Sequence, residues 1–179
     1  MLYETGLPFS EEFVERQSNG ELDASYLAIN PNGTVPAIID TETNITLFES
    51  GAILFYLAEK TGKLLPADLN ARAEVMKWLM FEAANVSPVM SEVHHYLLAD
   101  NGENGDVILS RYKNKLALYC EMLNRQLDGR MFLCGDFSIA DIAVYPWAAI
   151  LEDMADIKPG DFPYLDAWVK FIAGRIAGG

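Results

Sequence analysis

The stretch Asn30-Pro31-Asn32-Gly33-Thr34-Val35-Pro36-Ala37-Ile38-Ile39-Asp40, followed by Phe48-Glu49-Ser50-Gly51-Ala52-Ile53, decides the reading of this chain. Pro36 opens an apolar strand segment. Because it has no N–H to continue a ladder inside the protein, the backbone beside Val35 stays free to pair with an extended peptide. Glu49 and Ser50 stand where a helix begins. A helix start offers unpaired N–H groups to an anion, the Ser50 hydroxyl adds a donor, and Glu49 accepts an ammonium. The two motifs together describe a receptor for a small peptide that carries both a carboxylate and an amine.

Composition sets the frame around that receptor. With 179 residues and 51% apolar content, the chain is long enough to build one or two small domains with a real core. Lys and Arg total 13 against 26 Asp and Glu, a formal net charge of −13 that repels nucleic acid and anionic membranes. The start, Met1-Leu2-Tyr3-Glu4-Thr5-Gly6, has no signal-peptide pattern, and no apolar run reaches the roughly 18 residues of a membrane span, so the expectation is a cytoplasmic protein. Cys120 and Cys134 lack metal-ligand spacing and sit in apolar neighbourhoods, which predicts core thiols.

Outward from the opening motif, Phe13-Val14 is read as a short strand and Glu21 to Leu27 as a helical turn or two. Pro36 to Asp40 and Ile45 to Phe48 make a hairpin around the polar turn Thr41-Glu42-Thr43-Asn44. Ser50 caps a helix with Ile53, Leu54, Leu57 and Ala58 at helical spacing, ending near Thr61-Gly62. Everything beyond is helical. Arg72 to about Ala99 forms one helix kinked by Pro88, Asn101 to Gly105 breaks it, and Val107 to Leu127 forms the next. Ser138 and Asp141 form a capping box for a helix that Pro146 bends, and a last helix spans about Tyr164 to Ala173. The divisions are a domain over residues 1–61, a linker over 62–68 and an all-helical domain over 69–179. Removal of Asp141 from its cap is expected to cost roughly 0.5–2 kcal/mol.

His94-His95 invites a metal, but adjacent helical residues point about 100° apart, not to one face as a helical zinc pair does, so no metal site is expected.

Asn30 to Asp40, Phe48 to Leu57 and Gly135 to Ile142 resemble the cytosolic glutathione transferase family, over essentially the whole chain. Leu47 to Leu54 and Leu57 to Gly62 are most similar to bacterial members near the yeast nitrogen-regulator branch. The resemblance implies an α/β plus all-α fold, a thioredoxin-like N-terminal domain followed by a C-terminal helical bundle. It implies a cis Val35-Pro36 bond whose backbone pairs with the cysteinyl part of glutathione, while Glu49 and Ser50 hold the γ-glutamyl carboxylate and amine. Thr34 stands where many members carry a lysine or glutamine that reaches the ligand. The resemblance implies that Met90, His94 and Tyr96, with Tyr112, fall near the cleft where the family binds its hydrophobic co-substrate; plain packing or surface exposure is the alternative for each, and the favoured one. The implied protein is a homodimer that conjugates glutathione to an electrophile, or uses it to reduce a disulfide or peroxide.

Met1 to Pro8 looks like the end of the family's first helix, so the first strand and the thiol-activating loop are expected to be absent, roughly 20 residues by ordinary element lengths. The alternative is a non-catalytic glutathione-binding or protein-interaction module. On either reading the catalytic residue is unassigned.

Overall fold

A computed structural model describes residues 1–15, 22–98, 105–158 and 160–177. The chain divides into two compact units, Met1–Leu65 and Pro66–Gly179.

The first unit opens with a short helix, α1 (Leu2–Thr5), which closes on Gly6 at φ 75°. Lys63 Nζ donates to the Thr5 carbonyl at 2.7 Å and ties this helix to the end of the unit. Phe13 and Val14 form no strand; Phe13 is 91% exposed among Glu11, Glu12 and Glu15, and among the described residues no strand pairs with it. In place of the helical turns expected from Glu21 to Leu27, of which Glu21 lies outside the described residues, the next helix, α2, spans Ala24–Ile29, and Asp23 caps it by accepting from Ser25 N at 2.7 Å. Strands β1 (Ala37–Asp40) and β2 (Ile45–Phe48) form the antiparallel hairpin, in a register that pairs Ala37 with Phe48 and Asp40 with Ile45. Helix α3 (Ser50–Thr61) follows and ends on Gly62 at φ 65°, the left-handed cap that its sequence predicts. Its buried face is Ile53, Leu54, Leu57 and Ala58.

The second unit is helical. Helix α4 (Leu69–Phe81), capped by Asp68, gives way to a π-helical turn over Glu82–Val86, and α5 (Ser87–Leu98) continues from it. The expected distortion therefore falls ahead of Pro88. Proline removes the bond to the carbonyl four residues back and collides with it, and the wider turn, in which Ser87 N–H reaches the Glu82 carbonyl, accommodates that loss. Helices α6 (Gly105–Gln126), α7 (Ile139–Ala148), α8 (Leu151–Ala155) and α9 (Pro163–Ala177) complete the unit. The expected break before α6 lies, apart from Gly105, outside the described residues, as does Ala99. Pro146 stands inside α7, which stops at Ala148.

The core of this unit is built around Val75, Leu79, Met90, Val93, Leu116, Leu133, Ile139, Val144 and Leu165, each at most 1% exposed. Glu82 and Asp141 are the carboxylates buried in this unit among the described residues. Asp141 is fully buried and accepts from Ser138 N and Leu133 N, each at 3.0 Å, from Ser138 Oγ at 3.1 Å and from Trp168 Nε1 at 3.1 Å. The predicted capping box is thus one corner of a network joining α7, α9 and the preceding loop. Burial raises the Asp141 pKa, and the donated hydrogen bonds oppose the shift. Among the described residues no helix is long and apolar enough to cross a membrane.

Candidate functional site

The hairpin register brings the two sequence motifs together. With Ala37 opposite Phe48, Val35-Pro36 precedes one strand and Glu49-Ser50 follows the other, so both lie at the open end of the same hairpin. Neighbouring strands lie roughly 5 Å apart, which puts both motifs within reach of one short peptide.

On the first side, the Val35-Pro36 peptide bond is cis. Val35 is 69% exposed, and among the described residues its backbone has no hydrogen-bond partner. The loop behind it is held tightly. Asn30 is fully buried, and its Nδ2 donates to the Thr34 carbonyl at 2.6 Å and to Thr34 Oγ1 at 3.3 Å, while its Oδ1 accepts from Asn32 N at 3.0 Å. The Tyr26 hydroxyl donates to the same Thr34 carbonyl. Asn32 Nδ2 also reaches Thr34 Oγ1 at 3.3 Å, so the hydroxyl at this position is turned into the loop rather than toward a ligand. Gly33 turns the chain at φ 67°, and a Cβ there would come within 2.9 Å of Leu22 Cδ1.

On the second side, Glu49 is the helix cap, one residue earlier than the expected cap at Ser50, and Ser50 is the first residue of α3. Glu49 adopts φ 71°, ψ 114°, a region that costs a non-glycine residue about 1–3 kcal/mol and concentrates at ligand clamps. Its carbonyl accepts from Ile53 N at 3.0 Å. The preceding amides, of Ser50, Gly51 and Ala52, have no acceptor within the helix and carry the positive end of its dipole. Glu49 and Ser50 are both exposed.

A polar cluster fixes that helix against the hairpin. Asp40 Oδ2 accepts from Tyr56 Oη at 2.6 Å and from Lys60 Nζ at 2.5 Å, and Lys60 also pairs with Glu42 at 2.8 Å. Since the single Tyr56 proton goes to Asp40, the hydroxyl accepts from Thr43 Oγ1 at 2.7 Å. The Lys60 ammonium, then the Tyr56 hydroxyl, hold the Asp40 carboxyl well below the usual carboxylate range, and Asp40 holds Lys60 above the usual lysine range. Asn30, Tyr26 and this cluster were not singled out by the sequence reading. The signal available for Asn30 was its place before Pro31 at the head of a turn, where asparagine side chains bond nearby backbone.

The co-substrate positions fall in the second unit. Met90 is fully buried, in keeping with packing rather than with a place on the cleft, and lies on the buried face of α5 with Val89 and Val93. His94 is exposed, and Tyr112 on α6 is half-buried with its ring 6.0 Å from that of Tyr96. Burial pushes both the Cys120 and Cys134 thiols up to about 12, so neither supplies a thiolate at neutral pH. Among the described residues no group of three His, Cys, Asp or Glu could hold a metal ion.

Comparison with known proteins gives this geometry its family. Residues 1–59 match the glutathione S-transferase N-terminal domain and residues 86–175 the glutathione S-transferase C-terminal domain. The disulfide-bond oxidoreductase YfcG of Escherichia coli is 33% identical over 93% of this chain and 79% of its own length. The oxidoreductase YghU of the same organism is 28% identical over 97% of this chain, which spans 63% of that relative. A crystal structure of a glutathione transferase from Burkholderia graminis, with two glutathione molecules bound per subunit, superposes with a TM-score of 0.86 at 34% identity, covering 94% of this chain and 75% of that one. One from Pseudomonas putida, with one glutathione disulfide bound per subunit, gives 0.85 at 30% identity over 94% and 77%. The chain belongs to the glutathione S-transferase family, with its thioredoxin-like and helical domains.

Proposed function

We propose that this protein binds glutathione at the open end of the hairpin and uses it as a thiol co-substrate, conjugating it to an electrophile or reducing a disulfide or peroxide. The cysteinyl backbone pairs with Val35 beside the cis Pro36, and the γ-glutamyl carboxylate and amine meet the α3 start at Ser50 and Glu49. The observation that carries the reading is the Ala37–Phe48 register, which sets a free backbone edge and an unpaired helix start side by side. Disulfide reduction is favoured among the chemistries, since YfcG and YghU are both named disulfide-bond oxidoreductases and the Pseudomonas putida transferase holds glutathione disulfide.

The helix start matters here because the chain is strongly acidic and glutathione is an anion. Long-range attraction is unfavourable, so local amides and the α3 dipole supply the attraction at contact. The same reading places glutathione binding in residues 1–61, a linker at 62–68 and the co-substrate surface, with His94 and Tyr112, in 69–179. It also makes the protein a cytoplasmic homodimer acting on a small hydrophobic electrophile, and sedimentation as a monomer at micromolar concentration would count against the dimer.

Calorimetric titration of the chain with glutathione, alongside assays with an aryl halide and with a glutathione mixed disulfide, tests the proposal. Saturable binding with turnover of the mixed disulfide is the expected result. Binding without turnover of either substrate would point to a binding module, and no binding would overturn the reading.

A further inference from the structure

We propose that Tyr26 and Asn30 are positioning residues for glutathione, acting on the ligand through one shared carbonyl, that of Thr34. The inference rests on the glutathione reading above and adds residues which make no contact with the ligand themselves.

The Thr34 carbonyl belongs to the same peptide unit as the Val35 N–H. Peptide planarity means that whatever fixes the direction of that carbonyl also fixes the direction of that N–H, because the two point to opposite sides of one rigid plane. Two donors from different places in the fold converge on the oxygen: the Tyr26 hydroxyl from α2 and Asn30 Nδ2 from the turn, the latter at 2.6 Å. A carbonyl oxygen has two lone pairs, so its accepting capacity is filled.

Asn30 is itself over-determined. Its side chain is fully buried, its backbone N–H donates to Tyr26 O at 2.8 Å, and its own carbonyl accepts from Gly33 N at 3.0 Å. Its Oδ1 takes Asn32 N, so both ends of the carboxamide are committed. A buried amide pays the desolvation of its polar ends only where each finds a partner, as here. The result is a backbone edge that faces solvent at Val35 yet is anchored one atom layer below by a buried side chain. For a ligand held by main-chain bonds, this removes the ordering cost that a mobile loop would impose at binding.

Tyr26 is the informative position for a test, because its hydroxyl lies near the surface and its removal leaves the ring in place. Tyr26→Phe is expected to raise the glutathione Kd, measured by calorimetry, by roughly three- to tenfold, the worth of one hydrogen bond. Its melting temperature should stay within the small range of ordinary surface substitutions. Val35 amide exchange in the unliganded protein should become faster. Asn30→Asp, which keeps the acceptor for Asn32 but replaces the donor facing Thr34, should weaken binding further at some cost in stability.

Unchanged glutathione affinity in Tyr26→Phe, when Ser50→Ala weakens binding, would overturn the positioning role and leave the site assignment standing. A Tyr26→Phe protein that melts lower but binds equally well would likewise reduce Tyr26 to a packing residue and overturn it. Failure of the unmodified chain to bind glutathione would overturn the functional reading itself, and with it this one.

Discussion

The two units are stabilised by different means. Among the described residues, 4 buried apolar side chains lie in Met1–Leu65 and 22 in Pro66–Gly179. The helical unit rests on a deep apolar core with Asp141 sealed inside it, whereas the first unit is organised by polar anchors: Asn30 beneath the Val35 loop and Asp40–Tyr56–Lys60 between hairpin and α3. The lesson is that the two polar hubs do unlike work. Asp141 consumes the hydrogen-bonding capacity around it, while Asn30 spends its carboxamide on Thr34 and Asn32, and the Val35 backbone next to them keeps no partner among the described residues.

The contrast is broken most severely at Asp141. Asp141→Ala leaves Leu133 N, Ser138 N and Trp168 Nε1 without their acceptor, and at about 1–3 kcal/mol for each stranded buried group the loss should reach at least about 3 kcal/mol in urea denaturation. That exceeds the cost expected for a cap alone, and a loss near 1 kcal/mol would mean that water replaces the carboxylate. Next in size is Met90→Ala, which should cost about 2–5 kcal/mol by opening a cavity in the core of the helical unit. Met90→Leu should cost less than about 1.5 kcal/mol, and the pair separates a packing residue from a substrate contact.

Ser50→Ala addresses the other side of the comparison. It should weaken glutathione binding by roughly three- to tenfold, with little change in the urea midpoint, since the hydroxyl is exposed. Equal affinity in the two proteins would remove Ser50 from the site.

Two smaller effects concern pH and have opposite signs. Glu82 is buried at the head of the π turn, where it accepts from Trp147 Nε1 at 2.9 Å, and burial raises its pKa against that hydrogen bond. A carboxyl raised in the folded state contributes stability fully present below its unfolded pKa of about 4.3 and lost as pH rises through the folded value. Glu82→Gln should therefore flatten the decline in melting temperature above that pH. Asp141, raised in the same sense, keeps part of the decline. An unchanged slope would show that Glu82 does not titrate in that range. Asp40 is depressed by Lys60 and then Tyr56, so its contribution is present above about 3.9 and lost as pH falls toward its folded value. Asp40→Asn should soften acid unfolding of the first unit, and hydrogen exchange along the hairpin at low pH reads it; being screened by water, this is the smallest of the effects.

Much of the fold was legible because its signals are local. Asp40 and Ile45 flank a polar turn, Gly62 ends an amphipathic helix, and Ser138 stands three residues before Asp141; each pattern contains its own cause. Phe13-Val14 was misread because a strand needs a neighbour, and two apolar residues among glutamates do not specify one. Met90 was left between cleft and core for a related reason: helical periodicity gives the angle around α5 but not which side meets the core, and here Val89, Met90 and Val93 are buried together. The expected kink was placed about one turn late, at the proline rather than at the carbonyls which the proline disrupts.

By itself, the sequence determined that Val35-Pro36 ends a pairing edge and that Glu49-Ser50 begins a helix, because proline chemistry and helix-end chemistry act over a few neighbouring residues. It did not contain the distance between them. That came from the antiparallel register of Ala37 on Phe48, a non-local pairing which sets the two motifs at one end of a hairpin. Only the tertiary structure decided that Tyr26 and Asn30 stand behind the Thr34 carbonyl, since a hydrogen bond that converges from a helix and a turn onto one oxygen leaves no periodicity in the chain.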